Sequence, residues 1–500
     1  MKKSVGILCG LAIAIAVVTT AGAWYTGKQL PRELDNSIAR ANQELVKALA
    51  GVGGSATIEL TSLDRHLFTS TAHYRIKVKD VQAGELPVSF ELAAVDKIEH
   101  GPFPWSRVKS LKLMPVMAAG NARLERTEAT ASWFAAANEQ SPLRVHSSLG
   151  YDGGVTSELE LLPLKVDEAN GNKVDFTGLR LRVNGDRDGK AVKIEGEAGR
   201  LDLTLIDQMQ LPVTLQFNGL TIGGDLSRTD HDSLYVGSLD LGLAEARITQ
   251  GHQQKLLLIK GLEQNNLYGA DGDKMHGRLE YKIGDITYDN RPVGSGHMLF
   301  TFKDVDMTAL QSLNDWYQTR LPEFREAAAA GQVLPNIDMG PEERAKVQAD
   351  LQKMLAAKPQ VALEDLSFKT AKGTSRFNLI VDLGNPASLD LPADQLTRQI
   401  IARLQAKLSL SKPMIGDLAT LQAFLQGQTD AQAIARQSGQ AGEMVGMMAV
   451  QSGMARVEGD DVKADLHYAD GQVDFNGKKM SVEEFALFLN TQMAGVVPRG

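Results

Sequence analysis

The chain has 500 residues, 43% hydrophobic and 23% charged, enough to bury a sizeable core in about two to four domains. Its 53 basic against 61 acidic side chains leave a formal charge of −8, and no basic stripe runs along it, which excludes nucleic-acid binding. A lone cysteine, Cys9, excludes a disulfide framework and a thiolate metal site from the rest of the chain.

Lys2 and Lys3 precede an uncharged run from Val5 to Ala23. As a helix the run spans roughly 28 Å, close to the hydrocarbon thickness of a bilayer. The leading lysines favour keeping that end in the cytoplasm, and Trp24 and Tyr25 suit the lipid–water interface. The expectation is a single membrane segment over residues 5–23, with the bulk of the chain outside the cytoplasm. Ala21-Gly22-Ala23 also fits a signal-peptidase site, so a cleaved leader is the alternative, although the run exceeds the usual h-region of about 7–15 residues. Lipid attachment at Cys9 fails, because bulky Ile7 and Leu8 precede it.

From Pro31 to Leu49 the apolar positions Leu34, Ile38, Ala41, Leu45 and Leu49 recur at helical spacing, which predicts a stalk helix ended by Gly51-Val52-Gly53-Gly54. The period then becomes two. Tyr74, Ile76 and Val78 alternate with basic residues, and so in turn do Leu201–Leu205, Leu239–Leu243 and Phe377–Leu383 with their neighbours. Alternation of this kind predicts antiparallel strands with one buried face. Asp152-Gly153-Gly154, Asn184-Gly185 and Gly223-Gly224 read as turns between strands.

Met307, Leu310, Leu313, Trp316, Leu321 and Phe324 predict a helix, with Thr308 and Gln311 at the spacing of a capping box. Pro341 opens a second helix that Pro359 stops, and the stretch around Ala327–Gly331 between them is a linker candidate. A hairpin from Val361 to Leu383 turns near Gly373, and two or three further helices fill about 391–452. Val462–Tyr468 forms a strand, Asp470-Gly471 and Asn476-Gly477 turn, and Ser481 with Glu484 caps a last helix.

Glu99-His100-Gly101-Pro102-Phe103-Pro104 resembles the hallmark motif of the YdgA-like family of bacterial envelope proteins, a domain of unknown function. The leader with Ala23-Trp24-Tyr25-Thr26-Gly27 and the ending Tyr468-Ala469-Asp470-Gly471…Asn476-Gly477 resemble it too, so the likeness covers essentially the whole chain. It implies a single N-terminal membrane segment, a place at the periplasmic side of the inner membrane, and homodimerisation. It transfers no catalytic residue.

No candidate chemistry survives inspection. His100 has no Asp, Cys or second His at a fixed spacing to complete a site. Pro102 and Pro104 restrict the backbone and Gly101 permits a close approach, so the motif reads as a rigid turn packing Phe103 and Trp105 into the core. Thr229-Asp230-His231-Asp232 places neighbouring ligand types on opposite faces of an extended chain, and Asp271-Gly272-Asp273 lacks the later ligands of a calcium loop; both read as turns. Ser106-Arg107-Val108-Lys109 and Ser409-Leu410-Ser411-Lys412 match Ser-x-x-Lys without its companion motifs. Met444, Met447, Met448, Val445 and Val450 read as helical core rather than as a ligand-adapting surface.

The sequence therefore predicts an α+β fold of mostly antiparallel, curved or elongated sheets with an N-terminal membrane and stalk helix and helical insertions. Its expected parts are a membrane segment (1–23), a stalk (24–50), a β-rich domain (51–305), a helical insertion (306–358) and an α+β C-terminal domain (359–500). The expected function is that of a membrane-anchored, non-catalytic periplasmic scaffold or assembly factor without cofactor or metal, with an envelope protein or a second copy as partner. The alternative is a lipid-binding or lipid-transfer module using an apolar groove on its sheet. His100, Gly101, Pro102, Phe103 and Pro104 form the structural motif, and Tyr468, Asp470, Gly471, Asn476 and Gly477 the terminal hairpin.

Overall fold

The computed structural model describes residues 30–49, 54–82, 87–167, 171–186, 189–206, 211–231, 234–251, 255–332 and 337–496. Two compact units divide the chain, residues 1–239 with 314–338 and residues 240–313 with 339–500.

The first unit opens with helix α1 (Leu30–Leu49). Strands β1 (Ser55–Arg65), β2 (Thr69–Gln82), β3 (Pro87–His100), β4 (Ala118–Leu124), β5 (Leu143–Leu149) and β6 (Val155–Leu161) follow as an antiparallel meander, each paired with the next. The short helices α2 (Trp105–Lys109) and α3 (Ala131–Ala136) sit in the β3–β4 and β4–β5 connections. β7 (Leu164–Asp167) and β8 (Lys173–Phe176) make a small hairpin, and β9 (Leu179–Gly185) returns to β6. β10 (Ala191–Ile206) pairs with β9 through Val192–Ala198, with β8 through Leu201–Thr204, and along its other edge with β11 (Pro212–Arg228).

The core of this unit is the even-numbered face of β2 and β3 packed under α1. Leu34, Ala41 and Leu45 are 0–2% exposed, and they meet Ile58, Ile76 and Val78. Asn42 on α1 bonds the backbone of Ile58 twice, donating from Nδ2 to its carbonyl (3.0 Å) and accepting its N–H at Oδ1 (2.7 Å). β1 pairs with β2 on one side, and Asn42 satisfies polar groups that its other edge would leave open.

β12 (Tyr235–Gln250) begins in the first unit and ends in the second. The second unit continues the antiparallel order through β13 (Lys255–Asp271), β14 (Lys274–Tyr288), β15 (Arg291–Asp306), β16 (Gln360–Lys369), β17 (Thr374–Leu383) and β18 (Ile401–Ser411). β19 (Arg456–Glu458) and β21 (Gln472–Phe475) share one edge of β20 (Asp461–Ala469), whose other edge pairs with β18; β22 (Lys478–Ser481) pairs with β21. Helices α4 (Met307–Ala329) and α5 (Pro341–Ala356) separate β15 from β16, and α6 (Ala393–Ile400) precedes β18. α7 (Lys412–Leu425) and α8 (Ala431–Gln451) pack at Gly442, where an added Cβ would lie 2.5 Å from the Lys412 carbonyl, and α9 (Val482–Val496) ends the described chain.

The mostly antiparallel α+β character is as expected, but the N-terminal part is corrected. No helix among the described residues is long and apolar enough to cross a membrane, and residues 5–23 lie outside the described residues. The predicted stalk is a core helix: its apolar stripe is spent inside the first unit, which leaves no free-standing stalk. A membrane-anchored scaffold, single-pass in the inner membrane and held there through residues 5–23, is thus replaced by a chain whose first described helix is part of its own core.

Local expectations shift as well. Gly223-Gly224 lies within β11, and the turn expected at Asn184-Gly185 falls just after β9. Asp306 rather than Thr308 caps α4, its Oδ1 accepting the Ala309 N–H at 2.8 Å. β18 occupies part of the segment predicted as all helix, because Leu404 and Leu408, four apart, fit either period. Met444, Met447, Met448 and Val450 are 50–59% exposed on α8, not core.

Candidate functional site

The alternation along β13–β18 and β20 sorts the second unit's sheet into two unlike faces. Register puts Leu279, Phe300, Leu363, Leu379, Ala406 and Leu466 in one row across β14–β18 and β20. The next row holds Tyr281, Met298, Leu366, Phe377, Leu408 and Ala464, and the row beyond Leu279 holds Phe302, Val361, Val381, Leu404 and Tyr468. Gly277 makes room in that row, since an added Cβ would lie 2.4 Å from the Phe302 ring. Apart from Gly277, none of these residues is buried, and Leu366 is 44% exposed. A sheet face this apolar is covered in an ordinary domain; here its residues are only partly buried, and exposed apolar patches mark binding surfaces. At one end of the first row stands Asn266, 4% exposed, its Oδ1 without a hydrogen-bond partner among the described residues.

The opposite face is ionic. His297 is held by Asp365 Oδ2 at Nδ1 (2.6 Å) and by Glu280 Oε1 at Nε2 (3.0 Å), with Arg278, Lys282 and Arg376 around them. The hydrogen bond it donates to Asp365, helped by that to Glu280, raises the His297 pKa above its ordinary value. Arg278 and then His297 draw Glu280 down to about 2. Both ring nitrogens are engaged, so His297 acts as a cationic tie rather than an available base.

Of the sequence-predicted residues, the motif gathers at one end of the first unit. The His100 N–H donates to the Phe68 carbonyl (2.8 Å), the Gly101 N–H to the Met117 carbonyl (2.7 Å), and Pro102 accepts from the Val116 N–H (3.0 Å). His100 Nε2 lies 3.1 Å from Oγ of buried Ser70. Gly101 is required by space, since a Cβ there would lie 1.8 Å from the Val116 carbonyl oxygen, and its peptide to Pro102 is cis. Glu99 accepts from both the N–H and the hydroxyl of Ser106, each at 2.8 Å. The expected burial of Phe103 and Trp105 is not found: they are 60% and 62% exposed, because the backbone bonds to Phe68 and Met117 fix the loop at the sheet end.

The terminal hairpin is a pair of two-residue turns with positive φ at Asp470, Gly471, Asn476 and Gly477, the signature of type I′. Asn476 fills the gap between β19 and β21 on the β20 edge: its N–H donates to the Asp465 carbonyl and its Oδ1 accepts the Asp465 N–H, both at 2.9 Å. Asn476 and Gly477, with Arg456, Asp465 and His467, also line a surface cleft of about 520 Å³. Tyr468 lies on the apolar face opposite Leu404. Ser481 and Glu484 form the reciprocal cap expected of them. Ser411, from one Ser-x-x-Lys match, caps α7 by accepting the Met414 N–H. Thr229 and His231 share a turn, and Asp232 lies outside the described residues. Among the described residues, no group of three or more His, Cys, Asp or Glu is placed to hold a metal ion.

Sequence reasoning missed Asp96, 0% exposed on β3 beside Tyr74. Burial pushes its carboxyl up to about 7, with the Asn121 N–H favouring the charged form, and neither oxygen makes a well-aligned hydrogen bond among the described residues. A single Asp amid the alternating apolar positions Leu92, Ala94 and Ile98 was the available signal.

These features define a class: an antiparallel β-meander protein with one apolar sheet face that is only partly buried. The chain belongs to the family of bacterial proteins of unknown function called DUF945, matching its pattern over residues 1–483, in agreement with the resemblance carried by the motif. It is similar to protein YdgA of Escherichia coli K12, 28% identical over 97% of this chain and 96% of that one. It is also similar to the uncharacterized protein YihF of the same organism (23% identical, 95% and 97% covered) and to an uncharacterized Haemophilus influenzae protein (22%, 63% and 85%). No solved structure matches the chain.

Proposed function

We propose that the chain is a non-catalytic lipid-binding protein that holds acyl chains on the apolar face of β14–β18 and β20. The observation that carries this is the apolar, only partly buried row from Leu279 to Leu466. Chemistry selects hydrocarbon as the occupant. An extended peptide laid on that face would bury most of its own N–H and C=O groups against side chains that, Asn266, Tyr281 and Tyr468 apart, offer no partner, at a cost of roughly 1–3 kcal/mol each. An acyl chain has no such groups and gains about 0.8 kcal/mol for each methylene it removes from water. Asn266 supplies an unsatisfied acceptor at the edge of the row for a hydroxyl or amide of the ligand.

Lack of catalysis fits the most strongly organised histidine, His297, whose two nitrogens are tied to carboxylates on the other face. The test is displacement of a fluorescent fatty acid. Saturable binding, competed by phospholipid and weakened by a charge placed at Phe300 or Leu379, is expected. No saturable binding overturns the reading.

A further inference from the structure

Alternate turns of the first unit's meander fall at the same end of the sheet. The β1–β2 turn and the β3–β4 connection meet there, joined by the His100–Phe68 backbone bond, and Met117 ties them to β5 through the Leu149 carbonyl (2.8 Å). This tip carries Leu67 (82% exposed), Phe68 (71%), Phe103 (60%), Trp105 (62%), Leu111 (84%) and Met114 (76%). Large apolar groups this exposed on one rigid tip are not left in water without use. We propose that the tip docks on an anionic lipid surface, with Trp105 and Phe103 seated at the headgroup–acyl boundary.

Charge favours a lipid surface over a protein partner. From residue 101 to residue 117 the sequence has Arg107, Lys109 and Lys112 and no acid. Arg65 ends β1 and His66 lies on the adjoining turn. Of the acids around the tip, Glu99 is engaged by Ser106, Asp152 by the Gly154 N–H, and Glu158 by Arg182 and Lys112, which leaves Asp64, exposed beside Arg65, against the cations. Lys109 lies 5.5 Å from the Trp105 ring centroid, the pairing of aromatic body and cationic head that suits a headgroup layer. Lysines interleaved with Leu111 and Met114 would be out of place in the core of a protein interface, which is depleted in Lys. On a bilayer they reach the phosphates while the apolar groups enter by about 5–10 Å. The contact is superficial, crosses nothing, and is independent of the apolar sheet face.

The test uses the full chain and vesicles of phosphatidylcholine with a minority of phosphatidylglycerol. The chain is expected to float with them, and the double variant F103S/W105S to partition roughly tenfold less. K109Q/K112Q should lose affinity several-fold, and only when phosphatidylglycerol is present. Brominated phosphatidylcholine should quench the wild type's tryptophan emission, and W105F should lose most of that quenching while melting like the wild type. Equal partitioning of F103S/W105S and wild type, or unchanged quenching in W105F, overturns the proposal. Lipid that copurifies on the sheet face stays with F103S/W105S, so failure here and failure of the acyl-chain reading are told apart.

Discussion

Leu279 on β14 stands directly opposite Phe300 on β15, and both are only partly buried on a face that carries no charge in their row. A single long cation placed there should therefore disturb a ligand far more than the fold. Phe300→Lys can raise its ammonium into solvent along its methylene stem. The expected loss of stability is no more than about 2 kcal/mol, by denaturant midpoint, against a loss of fatty-acid affinity of roughly tenfold or more. Equal affinity in wild type and variant counts against the site.

Gly101 has no room for a methyl group. Gly101→Ala should destabilise the first unit by roughly 2–4 kcal/mol, since the obstruction is backbone and cannot swing aside. His100→Ala should cost roughly 1–3 kcal/mol by leaving buried Ser70 without its imidazole partner, and should leave lipid affinity intact. Wild-type stability of His100→Ala would defeat the structural role of the motif.

Asp96 sets a pH dependence whose sign follows from burial. Its carboxyl titrates at about 7 when folded against 3.8 for an ordinary Asp, so the folded chain holds a proton that the unfolded chain releases between those values. Stability falls as pH rises through that window, by on the order of 4 kcal/mol if fully expressed. Asp96→Asn should flatten the curve and leave the variant the more stable protein at pH 8. Chemical denaturation across pH 4–8 reads this directly, and an unchanged slope refutes it.

His297 works on the other side of neutrality. Its raised pKa, due first to Asp365, means that the imidazolium stabilises the fold below pH 6.5, and that this contribution is lost as pH climbs through the raised value. His297→Gln should be less stable than wild type at pH 6 and nearly equal to it well above neutrality. An NMR titration placing His297 at or below its ordinary value would contradict the assignment.

Much of the fold was legible because local chemistry decides it. Asp470-Gly471 and Asn476-Gly477 are turn-specific pairs, and Ser481 with Glu484 is a reciprocal cap, so the ending could be read residue by residue. Other features depend on what packs against what. The stripe from Leu34 to Leu49 announces an amphipathic helix equally well for a stalk or a core, and only its packing into one cluster with Ile58, Ile76 and Val78 decides. Phe103, Trp105 and the methionines of α8 are apolar yet exposed, an outcome that composition does not reveal. The candidate site was half legible. Alternation in Phe377–Leu383 showed a one-faced strand, but the shared row with Leu279 and Phe300 needed the strand register, and its partial burial needed the tertiary structure.

Native mass spectrometry of the chain, purified without detergent, tests the lipid assignment most directly. Adducts in the mass range of membrane lipids, released on activation and reduced in Phe300→Lys, are predicted. A clean apo mass from a preparation that was never exposed to detergent would contradict it.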